Sequence, residues 1–338
     1  MTLGNLVMCG LQVVLALRNI GERLYHMNNE DNLIFTKKVN LASPKAGAKI
    51  VDVSDDFFAK ADRMLSDKDP IFVVDKYDNN GKWMDGWESK RKRVEGNDWV
   101  IIQLGGNCSI EEAIIDTSHF TGNYPPYASL DYSSQSSYIE GEMSWRPLLE
   151  KKELTGDFVN EFSVLKNENV NFVRLNIFPD GGVARLRLLG DLKPSSLKSG
   201  SEIELSSLLN GGKIIGYNNA HYGDVNALLS EGRGKTMGDG WETRRRRVPG
   251  NDFIIIELGV PGYISKIEID TCHFKGNYPD QASVQTINLP SDNKNKFDGS
   301  ESWDFILEKK KCSADTIHTY GKDSLMHENP VSHVRLNI

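Results

Sequence analysis

Two short runs of consecutive apolar residues mark the clearest elements of this 338-residue chain. They cover residues 99–104 (WVIIQL) and 253–258 (FIIIEL), and each is followed by a glycine, Gly105 or Gly259. Runs of this length, rich in isoleucine and aromatic residues, are typical of buried β-strands. We therefore expect one buried strand at each place, ending at the glycine.

Two further segments alternate between apolar and polar positions. Residues 172–177 place three branched apolar side chains on one face, and residues 183–189 place Arg185 and Arg187 opposite two leucines. A period of two residues predicts strands whose two faces differ in polarity.

Helical patterns are scarce in comparison. Residues 57–65 and 225–229 could each form a short helix. Because the remaining pattern consists of short strands separated by Gly, Pro and Asn turns, it predicts an all-β fold. We expect one β-sandwich in each half of the chain.

A long internal repeat explains why the pattern occurs twice. Residues 85–129 recur without a gap at residues 239–283, and about 26 of the 45 positions are identical, which indicates two copies of one domain. Comparison of the two copies therefore separates the positions at which both have the same residue from the positions at which they differ.

The repeat divides the chain into tandem domains. Their expected bounds are an extension of doubtful structure at 1–27, repeat 1 at 28–190, a linker at 191–201 and repeat 2 at 202–338. Residues 178–190 continue repeat 1 beyond a shared VRLNI sequence, whereas the sequence given stops at Ile338. We expect repeat 2 to lack a last strand and to be less stable, because losing a strand removes core side chains.

Composition narrows the classes of partner. The chain has 39% apolar and 26% charged residues and a net charge of -7, which argues against a nucleic-acid partner. Its apolar runs are shorter than the roughly 20 residues that a membrane helix needs. We therefore expect neither a nucleic-acid nor a membrane partner.

The cysteines indicate a reducing compartment. Cys9, Cys108, Cys272 and Cys312 form no Cys-x-x-Cys pair, and Cys108 and Cys272 occupy different repeat positions. Free thiols are therefore expected, which favours a cytoplasmic protein. Residues 1–27 leave a peroxisomal or mitochondrial location open.

A basic run follows the Asp-Gly-Trp-Glu sequence of each copy, at residues 90–93 (KRKR) and 244–247 (RRRR). The first and third positions accept lysine or arginine. The second and fourth positions are arginine in both copies: Arg91, Arg93, Arg245 and Arg247. Lysine cannot replace arginine where a planar fork binds a carboxylate twice, so these positions could bind one anionic group. The alternative is a solvated charge run, or internal pairs with Glu88 and Asp98.

A second shared sequence places a histidine three residues after an aspartate. The residues are Asp116 and His119 in the first copy, and Asp270 and His273 in the second. Histidine can transfer protons near neutral pH, and a carboxylate can fix its tautomer. Asp and His could equally bind a divalent metal, or simply brace the loop that follows. The sequence requires no cofactor and leaves the metal unknown.

Several of these motifs together resemble the allantoicase family. They are DGWE-[ST]-[KR]-R-[KR]-R, GND-[WF], IDT-x-HF-x-GN-Y-P and the FPDGGVARLR sequence that begins at Phe178, and the resemblance covers roughly residues 31–338. It implies two jelly-roll sandwiches related to the galactose-binding and discoidin-like fold. It also implies hydrolysis of allantoate to ureidoglycolate and urea in purine (allantoin) degradation, by a homo-oligomer.

The resemblance suggests roles for the shared polar residues. Arginines 91, 93, 245 and 247 would bind the substrate carboxylate, and Asn123 and Asn277 would donate to a carbonyl. The catalytic candidates are the acid/base histidines with their aspartates, and two glutamates that would hold urea nitrogens or act as base: Glu88, Asp116, His119, Glu242, Asp270 and His273.

Two other functions fit the same sequence. Sandwiches of this type also serve as modules that bind small ligands or carbohydrates, and the shortened second repeat would also suit a catalytically inactive descendant. Shared Asp, Glu, Arg, His and Asn residues suit a small polar anion better than a lipid or a sugar.

Overall fold

The computed structural model describes residues 24–25, 33–35, 38–193, 202–222, 225–289 and 301–338. It forms two compact units. Lobe 1 comprises the described residues of Lys38–Ile203 and Leu208–Gly211, and lobe 2 those of Glu204–Ser207 and Gly212–Ile338 with the strands before Lys38. In this part of the chain, no helix combines the length and the apolar character needed to cross a membrane.

Strands dominate the residues up to Leu192. They are β1 (Leu24–Tyr25), β2 (Leu33–Phe35), β3 (Val39–Asn40), β4 (Lys49–Val53), β5 (Tyr77–Asp78), β6 (Gly81–Lys82), β7 (Trp87–Glu88), β8 (Asp98–Asp116), β9 (Tyr127–Ser133), β10 (Arg146–Glu153), β11 (Val159–Ser163), β12 (Val170–Phe178), β13 (Gly182–Val183) and β14 (Arg185–Leu192).

Lobe 1 is a sandwich whose two layers share the long strand β8. The first part of β8 pairs with β4 and β12, and the sheet continues through β9 to β10. The last part of β8 pairs with β11 and β14, and β14 pairs with β3. The core between the layers contains buried side chains from both parts, such as Val100, Ile102, Ile115 and Leu186.

Neither glycine ends its strand, so that part of the sequence prediction was wrong. β8 continues through Gly105 to Asp116, and the strand that begins at Phe253 continues through Gly259 to Gly262. A Cβ atom at Gly105 would collide with the carbonyl oxygen of Ala46, so the glycine permits a close backbone approach. A glycine after an apolar run was interpreted as the end of a strand. Here it instead marks a point where the strand passes close to the backbone of another segment.

The second half of the chain repeats much of this arrangement. Its strands are β15 (Lys213–Tyr217), β16 (Phe253–Gly262), β17 (Lys266–Asp270), β18 (Gln281–Ile287), β19 (Asp304–Lys311), β20 (Ile317–Gly321) and β21 (Val331–Asn337). One layer has the order β1-β2-β15-β16-β21-β18-β19, and the other pairs β17 with β20. Val284, Leu307 and Leu336 pack between the layers against Ile267 and Ile269.

The two lobes differ at the strand that corresponds to β14. In lobe 1, residues Glu112–Asp116 of β8 lie between β11 and β14. In lobe 2, the equivalent strand β17 pairs with β20 alone among the described residues. The predicted fold class is confirmed: two tandem β-sandwiches, the second without its last strand.

Helical structure is limited to short 3-10 turns in the described residues. Those that match the two predicted helices are Ala61–Leu65 and Val225–Leu229. The residues around Asn80 form a small hairpin of β5 and β6.

Candidate active site

The structure brings together one glutamate and one asparagine in each lobe. The Asn123 side-chain amide donates to Oε1 of Glu88 at 2.7 Å, and Asn277 donates to Oε1 of Glu242 at the same distance. Both asparagines are exposed and both glutamates are half-buried. Because these four residues were named from sequence alone, their identical pairing in both lobes is the clearest feature of the site.

Backbone hydrogen bonds from separate segments fix Glu88. It exchanges two backbone hydrogen bonds with Ala59, and it pairs with Gly182 in the ladder of β7 and β13. The preceding Trp87 is fully buried and donates its indole N–H to the carbonyl of Asp55, so it anchors this segment in the core. Glu88 is therefore fixed by its backbone, with its side chain half-buried.

A turn between β12 and β14 completes the site in lobe 1. Gly182 donates its N–H to the carbonyl of Asn123 at 2.7 Å, and the Asp180 carboxylate accepts the backbone N–H of Lys92. A Cβ atom at Gly182 would collide with the Phe120 ring, so only glycine permits this contact. The turn thus joins the asparagine loop to the basic run, and it has no counterpart among the described residues of lobe 2.

Burial changes the acidity of Glu88. Removal of the carboxyl group from water raises its pKa, the hydrogen bond from Asn123 opposes this, and the charge of Asp78 adds to the rise. A carboxyl group with a raised pKa can hold a proton closer to neutral pH and deliver it to a leaving group.

The basic run alternates between protein-bound and exposed side chains. In lobe 1, Lys90 lies 3.9 Å from Asp55 and Lys92 lies 2.7 Å from the buried Asp98. Arg91 and Arg93 are exposed, and they form no ion pair with the part of the chain that the structure describes.

Lobe 2 repeats this alternation. Arg246, the counterpart of Lys92, contacts Asp252 at 3.1 Å, and Arg244 donates to the imidazole of His221. Arg245 and Arg247 are exposed, again without an ion pair among the described residues. The positions that accept lysine or arginine are thus those that contact the protein. The positions that are arginine in both copies point their guanidinium groups to solvent.

Both candidate histidines have a left-handed backbone and a ring that contacts a carbonyl oxygen. Their φ angles are 70° for His119 and 67° for His273. The Nε2 atom of His119 lies 3.2 Å from the Pro70 oxygen, and that of His273 lies 2.9 Å from the Gly234 oxygen. Since a carbonyl oxygen accepts, both rings carry their proton on Nε2 in this arrangement.

The aspartates contact groups other than the histidine rings they were expected to orient. Asp116 is buried and accepts the backbone N–H of Ser118, and Asp270 accepts two hydrogen bonds from Arg233. The positive φ of His119 explains this difference, because it turns the side chain away from the preceding strand.

Sequence reasoning missed the carboxylates that hold the histidine loops. Asp157 accepts the backbone N–H of His119 at 2.7 Å, and Asp315 accepts that of His273 at 2.9 Å. Both lie about 40 residues from their partners in sequence, outside the ungapped repeat, so only an alignment of the later segments could have indicated them.

Arg185 was also missed, although its position was noted. It is 1% exposed, and it donates to the Asp85 carboxylate at 2.7 Å and to several backbone carbonyls. Asp85 of the shared Asp-Gly-Trp-Glu sequence therefore braces lobe 1 from within. In lobe 2, Asp239 instead accepts hydrogen bonds from Lys235 and Thr236.

One group of potential metal ligands occurs among the described residues. Cys272, His273 and Asp315 of lobe 2 each offer one donor atom, and these atoms lie within 4.8 Å of one another. The Glu–Asn pairs do not belong to this group.

Comparison with known proteins gives a consistent result. A family model described as the allantoicase repeat matches residues 39–193 and 203–338. A curated protein of Acinetobacter baylyi named "Probable allantoicase" is 48% identical over 300 residues, which is 88% of this chain and 90% of that protein. One of the same name from Acinetobacter baumannii is 46% identical over 306 residues, 90% of this chain and 91% of that protein.

Solved structures agree with the sequence relatives. A structure of allantoicase superposes with a TM-score of 0.76 at 32% identity and covers 89% of both chains. The crystal structure of allantoicase from Saccharomyces cerevisiae gives a TM-score of 0.75 at 32% identity, also over 89% of both chains.

Proposed function

This chain belongs to the allantoicase family, and from that premise we propose that the Glu88–Asn123 pair of lobe 1 is its hydrolytic centre. The chain is a hydrolase that converts allantoate and water to ureidoglycolate and urea. The observation that carries the assignment is the 2.7 Å Glu–Asn hydrogen bond, which occurs identically in both lobes.

Allantoate carries one carboxylate and two ureido groups on a single carbon atom. Breaking one carbon–nitrogen bond requires a proton for the departing urea nitrogen, while the oxygen of water bonds to the carbon. Water supplies both the hydroxyl group and, in net terms, the proton. A group that accepts one proton from water and gives one to the urea nitrogen would therefore complete the reaction.

Glu88 suits this exchange because burial raises its pKa, which makes the carboxyl group a better proton acceptor and brings its titration closer to neutral pH. Asn123 holds Oε1, which leaves Oε2 to meet the substrate. We assign Arg91 and Arg93 to the substrate carboxylate, because both guanidinium groups are exposed in a segment whose other cations contact the protein.

Two observations favour lobe 1 over lobe 2 for the chemical step. The turn around Gly182 packs against the loop of Asn123, and the buried Arg185 fixes the neighbouring Asp85. Glu242, Asn277, Arg245 and Arg247 repeat the arrangement in lobe 2 without that turn among the described residues. We assign them a supporting or substrate-binding role.

The histidines remain candidates for a second proton-transfer group. His119 and His273 have one ring nitrogen at a carbonyl oxygen, which leaves Nδ1 as an acceptor. Asp116 and Asp270 would act indirectly, by shaping the loops that carry these rings.

Two further proposals concern the assembly of the protein and its compartment. We propose a homo-oligomer of this chain, as the family resemblance implies. We also propose a reducing compartment such as the cytoplasm, which the free thiols of Cys108, Cys272 and Cys312 support.

The test is release of urea from allantoate by purified protein and by matched variants. Glu88→Gln keeps the size and the hydrogen bond from Asn123 but cannot transfer a proton. It should lower kcat by about 100-fold or more, the usual contribution of general acid–base catalysis. Glu242→Gln is the control in lobe 2 and should change kcat by less than about tenfold.

Equal kcat values for Glu88→Gln and the unmodified protein would refute the assignment to Glu88. A larger loss for Glu242→Gln would move the centre to lobe 2. No urea from the unmodified chain, together with measurable binding of allantoate, would instead support a binding module.

A further inference from the structure

One loop cluster of lobe 2 has the composition of a metal site. It consists of Cys272 and His273, which follow β17, and Asp315, which precedes β20. Because β17 and β20 are paired in register, with Asp270 opposite Ile317, these two loops meet at the same end of the small sheet. The thiol, imidazole and carboxylate donor atoms lie within 4.8 Å of one another.

The donors already converge on one point. The Cys272 sulfur donates to the Gly234 carbonyl oxygen at 3.4 Å, and Nε2 of His273 lies 2.9 Å from the same oxygen. Around a tetrahedral zinc ion, donor atoms lie roughly 3.2–3.8 Å apart, given metal–ligand distances of about 2.0–2.3 Å. The cluster therefore needs a contraction of about 1 Å to enclose a cation of this size.

In the described part of lobe 2, the carboxylates near the cluster outnumber the cations by one. Asp239, Asp270 and Asp315 lie near Cys272, whereas the cations are Arg233, which pairs with Asp270 and Asp315, and Lys275, which acts on Asp315. The hydrogen bonds to the Asp315 carboxylate among the described residues use its Oδ1 atom, which leaves Oδ2 for a ligand.

Lobe 1 provides a natural comparison. It has the same frame, with His119 at positive φ and its backbone N–H bound to Asp157. The position of Cys272 is occupied there by Ser118. A hydroxyl group is a poor ligand for metals that prefer thiolate and imidazole. The two lobes thus differ at this place chiefly by one sulfur atom.

We propose that Cys272, His273 and Asp315 bind a borderline-soft divalent cation of the Zn²⁺ type in lobe 2. The sulfur and the imidazole nitrogen exchange the Gly234 carbonyl for the cation, and Asp315 supplies an oxygen. Three protein ligands leave one position for water or another ligand. This site is separate from the Glu88 assignment and does not depend on it.

Titration of the full chain with Co²⁺ tests the proposal, because a cobalt–thiolate bond gives a charge-transfer absorption that other ligands do not give. The unmodified protein should bind one Co²⁺ per chain with this absorption, and Zn²⁺ should displace it. Cys272→Ser, which installs the residue that lobe 1 has, should abolish the band while three other cysteines remain. Absence of the band in the unmodified protein, or its persistence in Cys272→Ser, would overturn the proposal.

Two further variants separate metal binding from folding. His273→Asn and Asp315→Asn both retain a residue type that tolerates positive φ, which these positions have at 67° and 47°. Each should weaken Co²⁺ binding at least about tenfold, the lower range for changes around a metal site, while the circular dichroism spectrum stays unchanged. Unaltered affinity in both variants would contradict the assigned ligands.

Discussion

Neighbouring positions of one basic run have different functions in both lobes. Lys92 and its counterpart Arg246 neutralise a buried aspartate, and either cation can do so because a single charge is sufficient. Arg91 and Arg245 remain exposed. This alternation follows from the extended backbone, which sends successive side chains to opposite sides.

The alternation predicts how the run tolerates substitution. Arg91→Lys should raise KM for allantoate roughly tenfold, because lysine loses one hydrogen bond to a charged group. Lys92→Arg should leave KM unchanged, since lobe 2 has arginine at that position. Urea release at varied allantoate concentration measures both. The assignment would fail if Arg91→Lys had the KM of the unmodified protein.

The raised pKa of Glu88 predicts a dependence of stability on pH. Between the unfolded and the folded pKa, the folded state binds more protons, so stability falls as pH rises through this window. Glu88→Gln removes this loss and should stabilise lobe 1 more at pH 7 than at about pH 4, below the ordinary glutamate pKa.

Urea unfolding at the two pH values, followed by the fluorescence of the lobe 1 tryptophans, measures the difference. A stabilisation by Glu88→Gln that is equal at both pH values would show that burial of the charge has no role. Glu95→Gln, at an exposed position of the same lobe, is the control and should have no pH-dependent effect.

Much of the site was predictable at this scale, and one part was not. Both Glu–Asn pairs consist of residues that the repeat alone identified. A contact between the Asp116 carboxylate and the His119 ring was inferred from their spacing of three residues. That inference assumes that the backbone between them is a regular strand or helix. The positive φ of His119 breaks that geometry, and such a backbone is uncommon outside glycine even for histidine, which adopts it more often than most residues.

At the scale of elements, strand β14 supports lobe 1 through a buried charge. Arg185 is buried on the face of β14 opposite the core leucines, where its guanidinium group reaches Asp85 and the carbonyl of Lys68. The alternating sequence predicts the strand correctly. It cannot predict that one of two polar positions is buried, because burial there depends on an acidic partner 100 residues away.

Removal of this charge should be costly. Arg185→Met leaves Asp85 partly buried without its cation, and should reduce the free energy of unfolding of lobe 1 by about 3 kcal/mol. Arg187→Met, on the same strand, should cost less than about 1 kcal/mol, because its ionic partner Asp69 is exposed at 3.9 Å. Urea denaturation compares the two variants. Equal losses in the free energy of unfolding for the two variants would show that the buried Arg185–Asp85 pair stabilises lobe 1 no more than an exposed pair does.

Equivalent strands in the two lobes should differ in local opening. Residues Glu112–Asp116 have partners on both sides, whereas β17 has β20 as its one partner in the described chain. Amide hydrogens of β17 that point away from β20 should therefore exchange with solvent much faster than their lobe 1 counterparts. Hydrogen exchange followed by mass spectrometry of short peptides measures this, and equal protection would contradict the one-sided pairing.

For the whole molecule, the repeat was the most reliable guide. It predicted two sandwiches, and the described residues of lobe 2 show the expected difference, because β17 pairs there with β20 alone. The repeat could not predict that β2 pairs with β15 in lobe 2. Residues 33–35 have no counterpart in the other repeat, so no internal comparison could indicate their partner.

Lobe 2 should unfold at a lower temperature than lobe 1, because its small sheet has one strand less to cover the core around Ile267 and Ile269. Fusion of a copy of residues 178–192 after Ile338 should raise the melting temperature of lobe 2. The same residues in scrambled order are the control. A copy that raises the melting temperature no more than the scrambled segment would refute the explanation.

The segments that hold Glu88 are far apart in sequence, from Ala59 to Gly182, and each contacts another through backbone hydrogen bonds. Closing such long loops is slow, because entropy must be lost before distant contacts form. Recovery of catalysis after dilution from denaturant should therefore be slow and should coincide with the burial of Trp87, which pairs with Val183 in the ladder that also holds Glu88. The turnover of substrate thus becomes a kinetic reporter of the last stage of folding.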